Sequence, residues 1–208
     1  MKNILIADDH PIVRAGLKQI INDEENFTVT GEASNGPEVI KLINNNSYDL
    51  LVLDISMPGE SGLDVLKQLQ YSNPDLKVLI LSTYSEEIYA ERSIKAGASG
   101  YLNKQYATRD LILAIKKILR GDRYLSTVAA ENIALNKTNN HDLPHKILSD
   151  REFQVLTLIG KGKTVSAIST ELLLSVKTIS TYRKRVLEKM NLKTTTELIK
   201  YTIDKKLV

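Results

Sequence analysis

The side chains most capable of chemistry in this sequence stand directly after short apolar runs. Asp8 and Asp9 follow the apolar residues 4–7, and Asp54 follows the run "LLVL". Adjacent carboxylates at the end of a buried strand repel each other and lose hydration, so they require a counter-charge. A hard divalent ion such as Mg²⁺, or Mn²⁺ in its place, binds carboxylate oxygens and is the natural partner for such a group.

Two further polar side chains end apolar runs in the same way. Ser82 follows "LIL" and Lys104 follows "GYLN". If these runs are parallel strands, their carboxyl ends meet at one edge of a sheet, where doubly wound folds form their sites. One lysine and one divalent ion would balance three acids and would also hold a phosphoryl group placed on one of them. The alternative is that the acidic pair only solvates a strand end and that Asp54 caps the turn "SMPGESG".

The elements that must position these side chains alternate between two periodicities over roughly the first 120 residues. Four stretches place apolar residues three and four positions apart, which is typical of helices. Continuous apolar runs such as "VLIL" are typical of a parallel sheet that is buried on both faces. The pattern predicts a doubly wound α/β domain with five helices and a five-stranded parallel sheet. The predicted strands are "NILIA", "FTVTGEA", "YDLLVLD", "KVLILS" and "GYLNK".

A polar stretch predicts a boundary in the chain. Residues 136–146, "NKTNNHDLPHK", contain a proline and no apolar period, which is typical of a linker, and a short helix over 127–135 is expected before it. His141 and His145 lie in this stretch and have no evident partner. The predicted organisation is a first domain over 1–122, a linker over 123–146 and a four-helix domain over 147–208.

Charge separates the same two parts. Residues 1–122 carry 13 Lys/Arg and 17 Asp/Glu, a net charge of −4, whereas residues 146–208 carry 13 and 6, a net charge of +7. A small basic domain is a candidate for binding nucleic acid. The chain has no cysteine, which excludes a disulfide framework or a thiolate metal site. The early carboxylates argue against a signal peptide, no apolar run reaches the roughly 18 residues of a membrane span, and a cytoplasmic protein is expected.

The basic part contains the pattern helix, tight turn, helix in "TVSAISTELLLSVKTISTYRKRVLEKM". Ile168 and Leu172 are predicted to face inward from the first helix. Ile179, Val186 and Leu187 are predicted to form the apolar side of the second helix, which Ser175 caps. The other side of the second helix carries Lys177, Ser180, Thr181, Arg183, Lys184 and Arg185. Short polar residues near the start of a helix, followed by cations, suit a helix that reads the major groove of DNA. The alternative is a solvated basic face on an ordinary helical bundle.

Residues 1 to about 121 resemble the receiver domains of two-component response regulators. The acidic pair, "DISMPGESGLD", the Ser after the fourth strand and "GYLNK" match that family in order and spacing. The resemblance implies a flavodoxin-like fold and phosphorylation of Asp54. It implies Mg²⁺ ligation by Asp9, Asp54 and the backbone carbonyl of Ser56, with Asp8 acting partly through water. The phosphoryl-binding and switch residues that it implies are Ser82, Lys104 and Tyr101. Gln105 stands where the family commonly has a proline, often after a cis bond.

Residues 147–208 resemble the LuxR-type helix-turn-helix domain that ends response regulators of the NarL/FixJ type. "LSDREFQVL", "GKGKTVSAISTELLLSVKTIS" and "LEKMNLKTTTELI" follow its pattern. The resemblance implies a recognition helix over about 175–190 and a dimer surface over about 195–206. The implied base contacts are Ser180, Thr181 and Lys184, and the implied backbone contacts are Lys177, Thr178, Arg183 and Arg185. Tyr182 replaces a common His, as in regulators paired with hybrid sensor kinases.

The sequence therefore predicts a phosphorylation-controlled, DNA-binding transcription regulator and not a turnover enzyme. Its expected partners are a sensor histidine kinase, double-stranded DNA and a second copy of the chain, with no membrane partner. One alternative keeps DNA binding but uses the receiver as a phosphorylation-independent dimerisation module. Another is a metal-dependent phosphohydrolase using Asp8 or Asp54, although no substrate-binding cap domain is apparent.

Overall fold

Strands and helices alternate through the N-terminal part of the computed structural model, which describes residues 1–131, 133 and 143–208. These elements are β1 (Lys2–Ala7), α1 (Pro11–Asn22), β2 (Phe27–Ala33), α2 (Gly36–Asn45), β3 (Leu50–Leu53), α3 (Gly62–Ser72), β4 (Lys77–Ser82), α4 (Glu86–Lys95), β5 (Gly100–Asn103) and α5 (Ala107–Leu119). Within the described residues the five strands form one parallel sheet, as predicted, and their order is β2-β1-β3-β4-β5. The strand order reverses between β1 and β3, which places a crevice at the carboxyl ends of these two strands.

The core lies between the sheet and the inward faces of the helices. Every residue of β3 is buried, as expected for a strand covered on both faces. On α5, Leu111, Ala114, Ile115 and Ile118 are fully buried at helical spacing, and they pack in a cluster with residues of β1, β3 and β4. The apolar periods that predicted the helices therefore mark the faces that cover the sheet.

Among helices α1 to α5, α4 is the one whose position cannot be predicted from the spacing of apolar residues. Its sequence, "EEIYAERSIK", buries only Tyr89, Ala90 and Ser93. Its charges nevertheless favour a helix, because two glutamates occupy the first turn and Arg92 and Lys95 occupy the last. Acidic residues near a helix N-terminus and basic residues near its C-terminus interact favourably with the helix dipole.

The sheet edge continues past α5 into the segment predicted as a linker. Tyr124 bridges Gly100, the backbone N–H of Tyr101 donates to the Tyr124 carbonyl at 2.9 Å, and the Tyr124 N–H donates to Ser99 at 3.2 Å. Residues 127–131 and 133 are helical, within the short helix predicted over 127–135. The rest of that helix and residues 136–142 of the predicted linker lie outside the described residues. The chain divides into two compact units, Met1–Leu135 and Asn136–Val208.

The described residues of the second unit are helical, as predicted. They form a 3₁₀ turn (Pro144–Ile147) and the helices α6 (Asp150–Gly160), α7 (Val165–Glu171), α8 (Val176–Met190) and α9 (Thr195–Asp204). Ser149 and Glu152 form the predicted capping box at the start of α6. Gly162 has φ +77°, a left-handed conformation that favours glycine after a helix. None of the helices in the described ranges is long and apolar enough to cross a membrane.

One expectation for this region is wrong. His145 was expected to lack a partner, but it is buried and its Nδ1 lies 2.8 Å from the hydroxyl of Tyr201 on α9. The residues at the end of the predicted linker therefore pack within the second unit. His141 lies outside the described residues.

Candidate functional sites

Four of the predicted site residues meet at the carboxyl end of the sheet. Asp8 and Asp9 follow β1, Asp54 follows β3, and Lys104 follows β5. Lys104 Nζ lies 2.8 Å from Asp54 Oδ2 and 2.5 Å from Asp8 Oδ2. Asp8 and Asp54 are almost fully buried, whereas the Asp9 side chain remains 23% exposed. Asp8 and Asp54 thus share one ammonium group, and Asp9 adds a third carboxylate beside them, so the excess of acids over the lysine is the one predicted from the sequence.

Backbone contacts hold the acidic loops in place. The Asp54 N–H donates to the Ala7 carbonyl at 2.9 Å and ties the end of β3 to that of β1. The guanidinium of Arg14 donates to the Asp8 carbonyl at 2.6 Å. A Cβ on Gly62 would lie 2.0 Å from the Asp54 carbonyl oxygen, so only glycine lets α3 begin this close to the acid.

Burial dominates the electrostatics of the site. It raises the pKa of Asp54, an effect that the cation of Lys104 opposes and the charge of Asp8 reinforces. Burial lowers the pKa of Lys104, but the attraction of Asp54 and Asp8 outweighs it, so the net pKa is raised. The ammonium is therefore kept charged.

Two oxygens of the cluster fit a cation. Asp54 Oδ1, Asp9 Oδ1 and Asp8 Oδ2 are buried without a partner of hydrogen-bond geometry in the described structure, and Lys104 compensates Asp8 Oδ2 from 2.5 Å. A buried carboxylate oxygen without a partner is costly, and a hard divalent ion with oxygen ligands offsets that cost. The backbone N–H of Ser56 hydrogen-bonds to Asp54, which places the Ser56 backbone beside the acid. The residues present thus fit Mg²⁺.

Ser82 and Tyr101 form a second group at the same edge of the sheet. Both are fully buried. The Tyr101 hydroxyl donates to the Tyr84 carbonyl at 2.8 Å and also hydrogen-bonds to Ser82, and the Ser82 hydroxyl accepts from the Tyr84 N–H at 3.2 Å. The ring of Tyr84 stacks on Tyr89 of α4, with ring centroids 4.6 Å apart. The Tyr101 ring therefore points inward and is bonded to the loop that leads into α4.

The loop that carries Lys104 has no need of the family proline. The Lys104–Gln105 peptide bond is trans, and Lys104–Tyr106 forms a 3₁₀ turn. The side-chain oxygen of Asn103 accepts from the Gln105 N–H at 2.9 Å, and its amide donates to the Tyr84 carbonyl at 3.0 Å. Asn103 thus joins the lysine loop to the Tyr84 loop.

Two side chains at these sites are not among the residues predicted from the sequence. His10 is one of them, yet its Nδ1 lies 2.7 Å from Asp9 and hydrogen-bonds to Asp8 at 3.3 Å. Its position directly after the acidic pair is the signal that could have identified it. Asn103 was also missed, because nothing in its sequence context indicates that it reaches a backbone carbonyl 19 residues away.

The second unit presents α8 with one buried and one exposed face. Ile179 and Val186 are fully buried, and Ser175 caps the helix by accepting from the Thr178 N–H at 3.0 Å. The opposite face carries the residues predicted to meet DNA. Lys177, Thr181, Lys184 and Arg185 are exposed, and Thr178, Ser180 and Arg183 are partly buried.

Contacts with its neighbours fix the orientation of α8. Lys189 Nζ lies 2.7 Å from the buried carboxylate of Glu152 at the start of α6. Arg183 donates to the Thr195 hydroxyl at 3.3 Å, which directs its guanidinium toward the start of α9. Arg183 is therefore less free to reach a phosphate than the exposed cations of this helix.

A parallel sheet with an acid cluster and a lysine at its carboxyl edge defines a phosphoacceptor receiver domain. A capped basic helix behind a tight turn defines a helix-turn-helix domain. The family model described as "Response regulator receiver domain" matches residues 4–116, and "Bacterial regulatory proteins, luxR family" matches residues 146–202. The chain therefore belongs to the two-component response regulators of the NarL/FixJ type, which are transcription regulators and not turnover enzymes.

Known proteins resemble the chain over nearly its whole length. "Response regulator UvrY" of Escherichia coli (strain K12) is 36% identical over 200 residues, which are 95% of this chain and 92% of that protein. "Oxygen regulatory protein NreC" of Staphylococcus carnosus (strain TM300) is 38% identical over 213 residues, 99% of this chain and 98% of that one. RcsB from Salmonella enterica serovar Typhimurium, solved bound to promoter rprA with phosphomimetic BeF3−, has a TM-score of 0.65 and 27% identity, and covers 96% of this chain and 97% of its own.

Proposed function

We propose that this protein is a phosphorylation-controlled transcription regulator in which Asp54 accepts a phosphoryl group from a sensor histidine kinase. The observation that carries the proposal is the state of the Asp54 carboxylate. Its Oδ2 is paired with Lys104 at 2.8 Å, whereas its buried Oδ1 has no hydrogen-bond partner among the described residues. One oxygen is thus held by the lysine and the other faces the expected cation, so the carboxylate lies between the two charges that would neutralise an incoming phosphoryl group.

In the proposed transfer, an oxygen of Asp54 attacks the phosphorus of a phosphohistidine. The new O–P bond forms as the N–P bond to the imidazole breaks. Lys104 holds the phosphoryl oxygens beside Asp54. Asp9, Asp54 and the Ser56 carbonyl would hold Mg²⁺, with Asp8 acting partly through water, and the bound ion would supply charge neutralisation on the transferring oxygens.

Ser82 and Tyr101 would report phosphorylation to the rest of the protein. The proposal assigns the Ser82 hydroxyl to a phosphoryl oxygen of the modified Asp54. Engaging it there alters the bonds that Ser82 now makes with Tyr101 and with the Tyr84 N–H. Switching of this kind requires two arrangements of one element, which phosphorylation stabilises to different extents. The β4–α4 loop and Tyr101 are that element in the proposal.

The output would be DNA binding by α8. We assign base contacts to Ser180, Thr181 and Lys184, and backbone contacts to Lys177, Thr178, Arg183 and Arg185. Dimerisation through residues near 195–206 would place two such helices on half-sites about one DNA turn apart, or a multiple of it. The RcsB complex with a promoter and a phosphomimetic supports this reading by analogy.

The proposal includes three finer assignments that rest on the sequence. The functional boundaries are 1–122 for the receiver, 123–146 for the linker and 147–208 for the DNA-binding domain. The protein acts in the cytoplasm, where its DNA target lies. Tyr182 supports a hybrid sensor kinase as the phosphoryl donor.

The test is phosphorylation by acetyl phosphate with Mg²⁺, followed on a Phos-tag gel, with oligomeric state measured by light scattering. Wild type, Asp54→Ala and Asp75→Ala are compared, the last being a control at an exposed aspartate. We expect a retarded, more dimeric species for wild type and the control, and none for Asp54→Ala. If no variant shifts while DNA binding is intact, the receiver acts instead as a phosphorylation-independent dimerisation module.

A further inference from the structure

We propose that His10 is an additional ligand of the divalent cation in the acidic cluster, and that its nitrogen makes the site prefer Mn²⁺ to Mg²⁺. The inference rests on the proposed function, which places a divalent ion at Asp9 and Asp54. It goes further by adding a residue of different donor chemistry and by naming the ion that this donor favours.

The position of the imidazole carries the first step. His10 directly follows the acidic pair, at the residue before α1 begins. Its Nδ1 lies 2.7 Å from Asp9 Oδ1 and is hydrogen-bonded to Asp8 Oδ1 at 3.3 Å, so in the absence of an ion it sits between the two acids. Despite that short distance, Asp9 Oδ1 has no partner with hydrogen-bond geometry among the described residues. Neighbouring ligand atoms in an octahedron with bonds of about 2.1 Å lie roughly 3 Å apart, so these separations suit atoms that share one ion.

The cluster as a whole supports the second step. Asp8, Asp9, His10 and Asp54 each offer one ligand atom, and these four atoms lie within 4.8 Å of one another. Asp54 is only 2% exposed and its Oδ1 is also unpartnered, so a buried acceptor faces the same group of residues independently of His10. The imidazole is 65% exposed, which leaves a path from solvent to the acids.

Donor chemistry sets the selectivity. Mg²⁺ prefers oxygen ligands and gives up its waters reluctantly. Imidazole nitrogen suits first-row transition-metal ions, whose affinities for mixed nitrogen and oxygen sites rise from Mn²⁺ onward. The same oxygen ligands joined by one imidazole therefore favour Mn²⁺ over Mg²⁺ more strongly than the oxygen ligands alone. Asparagine at position 10 would keep a polar residue that is preferred before a helix while removing the nitrogen donor.

The decisive measurement is pulsed EPR on the full-length protein loaded with Mn²⁺ alone. Histidine is labelled with ¹⁵N, and wild type is compared with His10→Asn. We expect a ¹⁵N coupling of directly bound imidazole in wild type and its loss in His10→Asn. Asp54→Ala serves as the control that removes the site itself.

The affinities are measured in parallel, by titrating free Mn²⁺ by its EPR signal and competing it with Mg²⁺. His10→Asn should reduce the preference for Mn²⁺ about tenfold, the lower end of effects seen when residues that support a metal site are replaced, with little change in Mg²⁺ affinity. Mn²⁺ bound in an Asp54-dependent way without histidine coupling, and with the same preference in His10→Asn, would overturn the inference and leave the proposed function intact. Failure of wild type to bind either ion would instead count against the metal site of the proposed function, and the inference would fall with it.

Discussion

Replacing Asp54 with Asn should stabilise the metal-free receiver while abolishing its phosphorylation. Asp54 is 2% exposed, and in the absence of a divalent ion it shares the ammonium of Lys104 with Asp8, while Asp9 lies against His10. Asn keeps the shape of the side chain and leaves the pair between Lys104 and Asp8 in place. Removing one incompletely paired buried charge should raise the free energy of unfolding by about 1–3 kcal/mol. For a receiver of this size that corresponds to a rise in Tm of roughly 4–12 °C.

The pH dependence of this effect has a definite sign. Burial raises the pKa of Asp54 in the folded protein. Asp54 therefore does not reduce the free energy of unfolding of wild type below its unfolded pKa of about 3.9, where it is protonated in both states. That free energy falls as the pH rises through the folded pKa. The advantage of Asn should be small in acid and largest at neutral pH.

The assay is calorimetry of the full chain in EDTA at several pH values, with the exposed Asp75→Asn as the control. Adding Mg²⁺ should close the gap, because the ion binds the folded wild type and stabilises it by mass action. An Asn variant that is less stable than wild type in EDTA at neutral pH would refute the electrostatic reasoning. So would an advantage that is independent of pH and of Mg²⁺.

Three further outcomes are expected. Lys104→Met should slow phosphorylation of Asp54 by acetyl phosphate at least about tenfold, because one positioned charge is worth 1.4 kcal/mol or more in the transfer; an unchanged Phos-tag time course would contradict this. If Lys184 contacts a base, Lys184→Ala should reduce the binding preference for the cognate DNA site over other sequences by about 1–3 kcal/mol. If Lys184 instead binds a phosphate, the substitution should lower the slope of log affinity against log salt concentration by about one. Lys189→Met should destabilise the second unit by about 1 kcal/mol, since Lys189 is half exposed. Burial raises the pKa of Glu152, but Lys189 and Ser149 outweigh it and the net pKa is lowered, so the wild-type advantage in urea unfolding should fade as the pH falls below about 4.5.

The sequence predicted the sheet and the acidic cluster because both follow from one geometric rule. In a parallel sheet the carboxyl ends of all strands lie at one edge, so residues that follow apolar runs can be placed together without any knowledge of side-chain conformation. Asp8, Asp54 and Lys104 meet for this reason. Helix α4 escaped the same approach because charges at its two ends, and not an apolar period, mark it as a helix.

The contacts that the sequence could not give depend on backbone carbonyls and rotamers. Asn103 and Tyr101 converge on the carbonyl of Tyr84, an acceptor that every residue possesses and that no residue type identifies. The sequence places His145 in a polar linker, yet its ring nitrogen hydrogen-bonds to the hydroxyl of Tyr201, 56 positions away. Such contacts can be identified only from the distances between atoms in the folded chain.

His10 illustrates how a local conflict in a sequence becomes informative once the fold is known. Charged side chains in buried positions are expected mainly at functional sites, where a ligand, an ion or a neighbouring group offsets the cost of burying them. The acidic pair is such a conflict, and Lys104 alone leaves Asp9 Oδ1 and Asp54 Oδ1 without partners in the described structure. The imidazole Nδ1 hydrogen-bonds to Asp8 and lies 2.7 Å from Asp9 Oδ1, but it leaves Asp54 Oδ1 without a hydrogen-bond partner in the described structure. A cation bound jointly by His10, Asp9 and Asp54 accounts for that short contact and for both unpartnered oxygens. The identity of the ion therefore determines how this site works.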